Sequence, residues 1–200
     1  MPNRWTFQIA PITRLVSRYV GDGKGWIDPF AGISSPAEFT NDLNPDCPTT
    51  YHMDSLTFLN QLTGQYDGVL FDPPYSLRQA KECYESLGRD FTLEDSRNVG
   101  RWLGEKARLC QLIKPGGYAL SFGWNSNGIG RINGFEVKEI LLVCHGGAHN
   151  DTIVTVEQKL QGELSQWGSL VAWSSGKTEA GKTSNGGSTP PASSRRICLK

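Results

Sequence analysis

The chain has no net charge: Lys+Arg and Asp+Glu each count 20 in 200 residues. That excludes the strongly basic balance of many nucleic-acid binders, but not nucleic acid as a substrate, because a sum hides its distribution. No run approaches the roughly 18 apolar residues of a membrane helix. The opening Met1-Pro-Asn-Arg-Trp5 has no apolar signal region. Cysteine is sparse and odd in number (Cys47, Cys83, Cys110, Cys144, Cys198), with no C-x-x-C pair. Neither a disulfide frame nor a zinc site is expected, and the thiols read as reduced, in a cytoplasmic protein with no metal and no membrane partner. No internal repeat is present. Nothing bears on the oligomeric state.

Glycine and proline are plentiful, at 23 and 11. They imply many turns, or a part that does not fold. Ser174 to Arg196 carries only Ala180 and Ala192 as apolar side chains, too little burial to offset chain entropy, so the segment is expected to be disordered. Residues 1–159 hold 15 basic and 18 acidic side chains, a net of −3, and residues 160–200 hold 5 and 2, a net of +3. The zero total is thus an acidic domain (1–160) plus a basic, low-complexity tail (161–200), which reads as a solvated appendage or as a loose tether to a polyanion.

The first 160 residues alternate helical and strand patterns. Ile12, Leu15, Val16, Tyr19 and Val20 share one helical face behind Pro11. Gly21 to Gly25 reads as a turn, and Trp26-Ile27 as a strand running into Asp28-Pro-Phe-Ala-Gly32. Glu38 to Asn41 and Thr49 to Met53 are short strand candidates, and Tyr66 to Phe71 is the best buried strand. Leu56 to Leu62, Ser76 to Leu87 and Glu94 to Ile113 are helical, the last with Val99, Leu103, Ala107 and Cys110 on one face. Cys83 and Cys110 are expected in the core. Lys114-Pro-Gly-Gly117 ends that helix, and Tyr118 to Phe122, Phe135 to Cys144 and Thr152 to Gln158 are strands, the last two antiparallel. The outcome is an α/β, mostly parallel sheet of about seven strands with an antiparallel last strand. The stretches after the first two strands are too short for ordinary helical crossovers, so those connections must be cut to turns. Polar and glycine-rich segments fall after five strand ends, where such sheets carry function.

Asp72-Pro73-Pro74-Tyr75 follows the buried strand. Two prolines stiffen the turn. A carboxylate beside a backbone carbonyl gives two acceptors, suited to the two N–H donors of an exocyclic amine, and an aromatic ring suits stacking on the base that carries it. Asp28 to Gly32 is a small-residue turn that lets a ligand approach the backbone, without the G-x-G-x-x-G dinucleotide fingerprint. His145-Gly-Gly-Ala-His149 has two histidines, but its glycines disfavour the helix that would align them on a metal.

Together, Asp28-Pro-Phe-Ala-Gly32 and Asp72-Pro-Pro-Tyr75 resemble motifs I and IV of the S-adenosylmethionine-dependent amino-methyltransferases, most closely the small phage-type DNA adenine N6-methyltransferases. Thr40 to Pro45, His52-Met-Asp54, Lys114 to Gly117 and Phe122 to Gly128 agree with it. The resemblance implies a Rossmann-like class I methyltransferase fold, S-adenosylmethionine as cofactor and DNA as partner, in a host cytoplasm if the gene is viral. It implies that Asp28, Pro29, Phe30, Ala31 and Gly32 line the methionine end of the cofactor. Asp42 would meet the ribose, Asp54 the adenine, and Phe7 would help to close the site. Asp72, Pro73, Pro74 and Tyr75 would hold a flipped base. The same transfer to cytosine N4, an RNA base or a protein glutamine stays open, as does a non-catalytic cofactor-binding module. Sequence preference would have to come from Ser76 to Phe91, Trp124 to Gly134 and His145 to Asp151, because no separate recognition domain is expected within these 200 residues.

Overall fold

The structure is a computed structural model that describes residues 6–147 and 150–161. The tail from residue 162 onward, with its expected disorder, lies outside the described residues, as does His149.

Helix α1 (Ala10–Val20) starts on Pro11 and buries Ile12, Leu15, Val16 and Val20 along one side. The glycine turn after it is tight: at Gly23 φ is +82° and a Cβ would lie 1.9 Å from the Pro36 carbonyl oxygen, so only glycine fits. Strands β1 (Trp26–Asp28) and β2 (Phe39–Thr40) follow, then α2 (Ser55–Gln61), β3 (Tyr66–Phe71), α3 (Leu77–Ser86), α4 (Leu93–Asn98), α5 (Leu103–Leu112), β4 (Ile113–Gly123), β5 (Phe135–Val143) and β6 (Thr152–Lys159).

The sheet runs β2-β1-β3-β4-β6-β5. β2, β1, β3 and β4 are parallel to their neighbours, and β6 is antiparallel to both β4 and β5. Among the described residues there are thus six strands. The expected seventh, Thr49 to Met53, makes a single parallel bridge, Asn41 to Tyr51, beyond the β2 edge. No helix connects β1 to β2, as the short spacing required.

Side chains alternate across the strands. Val69, Phe71 and Ala119 pack with Phe58 and Leu59 of α2 and Leu109 and Leu112 of α5. Leu70, Leu120, Val154 and Val156 pack on the other face against α1. This three-layer core holds the carboxyl ends of β1, β2, β3 and β4 along one edge.

Two elements differ from the sequence reading. The long helix expected over Glu94 to Ile113 is two helices. Gly100 (φ 82°) and Trp102 (φ 49°) break it, and Trp102 is left-handed, alone among the described non-glycine residues. The register therefore changes at the break: Leu103 is exposed, and Glu105, Leu109, Cys110 and Leu112 face inward. Lys114 to Gly117 does not end the helix; it sits inside β4 as a bulge, because β3 pairs Tyr66 with Ile113 and then Gly68 with Tyr118.

Candidate active site

The loop after β1 is held from below. Asp28 is wholly buried and its carboxyl accepts the Phe30 N–H (3.0 Å) and the Ser35 hydroxyl (2.6 Å). Burial pushes its carboxyl up to about 8, against those two hydrogen bonds, with Asp72 and Asp42 raising it further. Asp28 therefore carries its proton at neutral pH. The sign of the linkage follows: between the unfolded value near 3.8 and about 8 the folded state binds the extra proton, so stability falls as pH rises through that window. An Asp28→Asn protein keeps the Phe30 contact on its amide oxygen, can reverse the Ser35 contact by donating its amide N–H to the hydroxyl, and escapes the dependence. Its melting temperature should gain on the wild type between pH 4 and pH 8 by the equivalent of at least ~1 kcal/mol, read by thermal unfolding at both values.

Asn41, which sequence reasoning did not single out, knots the loops together. Its Nδ2 donates to the carbonyls of Pro29 (3.1 Å) and Met53 (3.0 Å), and its Oδ1 accepts the Met53 N–H (3.1 Å). Its backbone bonds Asp28 and Ala31. These bonds do what a crossover helix would otherwise do. Asp42 beside it accepts the N–H groups of Gly32 (2.9 Å) and Asn44 (2.8 Å), one on each carboxylate oxygen. Asp54 caps α2: Leu56 and Thr57 donate to its Oδ1, which leaves Oδ2 without a protein partner among the described residues.

A cleft enclosing about 820 Å³, including its open mouth, runs along these strand ends. Pro29, Phe30, Asp42, Asp54, Asp72 and Pro74 of the expected residues line it. Asp28, Ala31 and Gly32 do not; Asp28 and Ala31 are buried beneath the loop and shape it from inside. Phe7 also stands outside the cleft wall, packed edge-on to Phe122 at 5.6 Å. Cys83 lines the cleft and is only partly buried, whereas Cys110 is in the core as expected. The far wall was not foreseen: Tyr84, Phe91, Asp95 and Trp102 come from α3, the loop after it, α4 and the left-handed break. Glu105 ties that wall down, buried and accepting from the Ser55 hydroxyl (2.9 Å) and the Asn98 amide (3.1 Å). Nothing in the spacing of these residues distinguishes them from ordinary helix faces.

A second, open cavity enclosing about 440 Å³, its mouth included, lies on the other side of the Asp72 turn. Pro73, Tyr75, Lys106, Ser121, Trp124 and Asn125 line it. Pro74 and Trp102 line both cavities, so the stiff turn and the strained tryptophan form their common wall. Gln79 accepts the Tyr75 N–H at 2.7 Å and fixes the turn to α3. The Tyr75 hydroxyl donates to Asp72 Oδ1 at 2.5 Å, and the ring meets Trp124 edge-on at 5.7 Å. Burial pushes the Asp72 carboxyl up to about 6, while Tyr75 and Thr6 hydrogen bonds hold it down; the Tyr75 phenol is raised well above its usual range. Asp72 is therefore mostly ionised at neutral pH. The Pro73 carbonyl accepts no hydrogen bond from the described residues. A carboxylate and a free carbonyl thus stand at one turn, as the sequence suggested.

His145 uses its ring on the Thr152 hydroxyl (2.8 Å). Basic residues of α1 and α3 are paired on the surface: Arg18 with Glu139, Arg78 with Glu82 and Lys81 with Glu85.

The strand order, the short parallel edge and the antiparallel β6 define the Rossmann-like, class I methyltransferase fold. The solved 1,6-didemethyltoxoflavin-N1-methyltransferase of Burkholderia thailandensis is similar with a TM-score of 0.52, at 13% identity over 80% of this chain and 82% of that one. TrmN from Thermus thermophilus gives 0.48 at 16% identity over 74% of this chain, which spans about half (48%) of that protein's length. The N-methyltransferase NodS from Bradyrhizobium japonicum WM9 gives 0.45 at 9% identity, covering 78% and 98%. No protein-family model matches the chain, and no curated protein matches it.

Proposed function

We propose that this protein transfers a methyl group from S-adenosylmethionine to the N6 amine of adenine in DNA. The observation that carries the proposal is the meeting of two cavities at Asp72-Pro73-Pro74-Tyr75, with Asp72 in the wall of one, Pro73 and Tyr75 in the other, and Pro74 in both. Direct transfer needs a donor site and an acceptor site that adjoin, so that the reacting atoms come within about 3–3.5 Å.

The first cleft suits the donor. Four carboxylates, Asp42, Asp54, Asp72 and Asp95, line it beside Phe30, Tyr84, Phe91 and Trp102. Negative charge and aromatic faces both favour a sulfonium cation, and the aromatic rings suit an adenine as well. Asp54 Oδ2 is placed to accept from an adenine amine, and each Asp42 oxygen keeps a lone pair for a ribose hydroxyl. The Burkholderia enzyme of the same fold was solved with S-adenosylhomocysteine bound. When bound, S-adenosylmethionine supplies an electrophilic methyl: the amine lone pair forms the N–C bond, sulfur keeps the C–S pair, and one amine proton is lost.

The chain's own residues prepare the amine. Its lone pair is delocalised into the ring, which makes it a weak nucleophile. N–H bonds to the Asp72 carboxylate and the Pro73 carbonyl favour a tetrahedral nitrogen and stabilise the positive charge that develops on it. Tyr75 steadies Asp72 through its hydroxyl and offers its ring edge region to the base together with Trp124.

Asp72 offsets the positive charge that develops on the amine only when ionised, so activity should fall as pH drops through about 6. Tyr75→Phe removes the hydrogen bond that favours the ionised form. The acid limb of kcat/KM should then move upward by roughly one pH unit, with the ring still present. An unmoved limb contradicts this role of the hydroxyl.

The proposal is tested by supplying methyl-labelled S-adenosylmethionine with unmethylated DNA, RNA or protein as separate acceptors. Label entering DNA is expected. Label confined to RNA or to protein moves the reading to those acceptors, and cofactor binding with no transfer leaves a binding module.

A further inference from the structure

Two buried side-chain oxygens among the described residues have no hydrogen-bond partner: Ser121 Oγ and Thr155 Oγ1. They are direct neighbours, facing each other across the β4–β6 ladder. Other buried polar groups nearby are satisfied. Asp72 has Tyr75, and Glu157 accepts the N–H groups of Ile129 (2.6 Å) and Gly130 (2.9 Å). An unpaired buried hydroxyl is disfavoured in a folded protein, so one that is present calls for a ligand or a functional reason.

Ser121 differs from Thr155 in one respect. It is 7% exposed and lines the second cavity, while Thr155 is fully buried. Its place is set by the sheet: β3 pairs Phe71 with Ser121, so the hydroxyl stands one strand away from the residue that precedes Asp72. The second cavity thus has Pro73 of the Asp72 turn and an unused hydroxyl on the adjoining strand in its wall, with Asp72 on the first-cleft side of the same turn. Asp72 and the Pro73 carbonyl can only accept; a hydroxyl can also donate.

We propose that Ser121 is a substrate-binding residue that donates its hydroxyl hydrogen to the ring nitrogen next to the amine-bearing carbon of the acceptor, N1 in adenine. The inference rests on the functional reading above and extends it to a chemical class: planar heteroaromatic amines of the form N=C–NH2. On such an edge the amine has donors and the neighbouring ring nitrogen has a lone pair. The turn and Ser121 match that order, acceptor beside donor.

The test compares wild type and Ser121→Ala on an oligonucleotide methylated by the wild type and on its 1-deazaadenine counterpart, in which a carbon replaces the ring nitrogen. Ser121→Ala is expected to lower kcat/KM on adenine by about tenfold, the size of one lost hydrogen bond. On 1-deazaadenine the same substitution should change it less than about twofold, because the partner atom is gone. The melting temperature of Ser121→Ala should be unchanged or raised, since the hydroxyl has no partner within the fold. Equal losses on both substrates, or a lowered melting temperature that tracks the loss, overturn the assignment while leaving the methyltransferase reading intact. Failure of the wild type to methylate any amine-bearing base overturns both.

Discussion

Asp72→Ala is expected to bind S-adenosylmethionine and to transfer almost nothing, with kcat lower by at least ~1000-fold. Asp72 is buried at the end of β3, with Tyr75 on one carboxylate oxygen. Its burial raises the carboxyl to about 6, so the fold disfavours the ionised form. The charge is kept at a site where folding gains little from it, which is the pattern of a functional group. The alanine protein should therefore fold. Binding in the first cleft rests on Asp42, Asp54 and the aromatic wall as well, and its dissociation constant should stay within about fivefold. Asp72→Asn keeps one acceptor oxygen and should retain more activity than alanine. Calorimetric titration of the cofactor beside a single-turnover transfer assay separates the two effects. A loss of binding equal to the loss of transfer would place Asp72 in the cofactor site instead.

Glu157→Ala should be the most damaging change outside the cleft. Glu157 is 1% exposed on β6, and its two oxygens take the backbone N–H groups of Ile129 and Gly130. Burial raises its carboxyl, and those two hydrogen bonds oppose the rise. Gly128 lies against it with φ at +54°, so close that a Cβ there would fall 2.2 Å from Glu157 Oε2. Removing the side chain leaves one buried and one part-buried donor unpaired and a cavity beneath the loop. A destabilisation of about 3 kcal/mol follows, or roughly 6–12 °C in melting temperature. The same loop supplies Gly123, Trp124, Asn125 and Gly128 to the second cavity. KM for the nucleic-acid acceptor should rise while cofactor affinity holds. Thermal unfolding and separate KM values for the two substrates check this, and an intact acceptor KM would detach the loop from the acceptor site.

Much of the fold was legible because it is written in local patterns. The α1 stripe, the run Tyr66 to Phe71 and the strands Phe135 to Val143 and Thr152 to Lys159 announce themselves by periodicity and by the turns that bound them. The short connection after β1 was legible from chain length alone. The break at Gly100 and Trp102 was not. The stretch from Glu94 to Ile113 has good helix formers on both sides, and a left-handed tryptophan is fixed by tertiary packing on Phe30 at 5.2 Å, not by its own preference. The site divides the same way. Asp72 to Tyr75 and Asp42 were visible as strand-end motifs. Asn41, Glu105 and Glu157 act through partners distant in sequence, and an isolated Asn or Glu on a strand or helix carries no sign of them. Asp28 looked like a ligand-facing residue because it stands in the motif. Its side chain instead points into the protein and supports the loop that Pro29 and Phe30 present to the cleft.

On the proposed reading, the amine held at the Asp72 turn belongs to adenine. The most direct measurement is nucleoside analysis of unmethylated duplex DNA after reaction with the wild-type protein and labelled S-adenosylmethionine. Label in N6-methyldeoxyadenosine, absent with Asp72→Ala, is the expected result. Label in N4-methylcytosine alone, or none in DNA while the cofactor binds, would contradict the account.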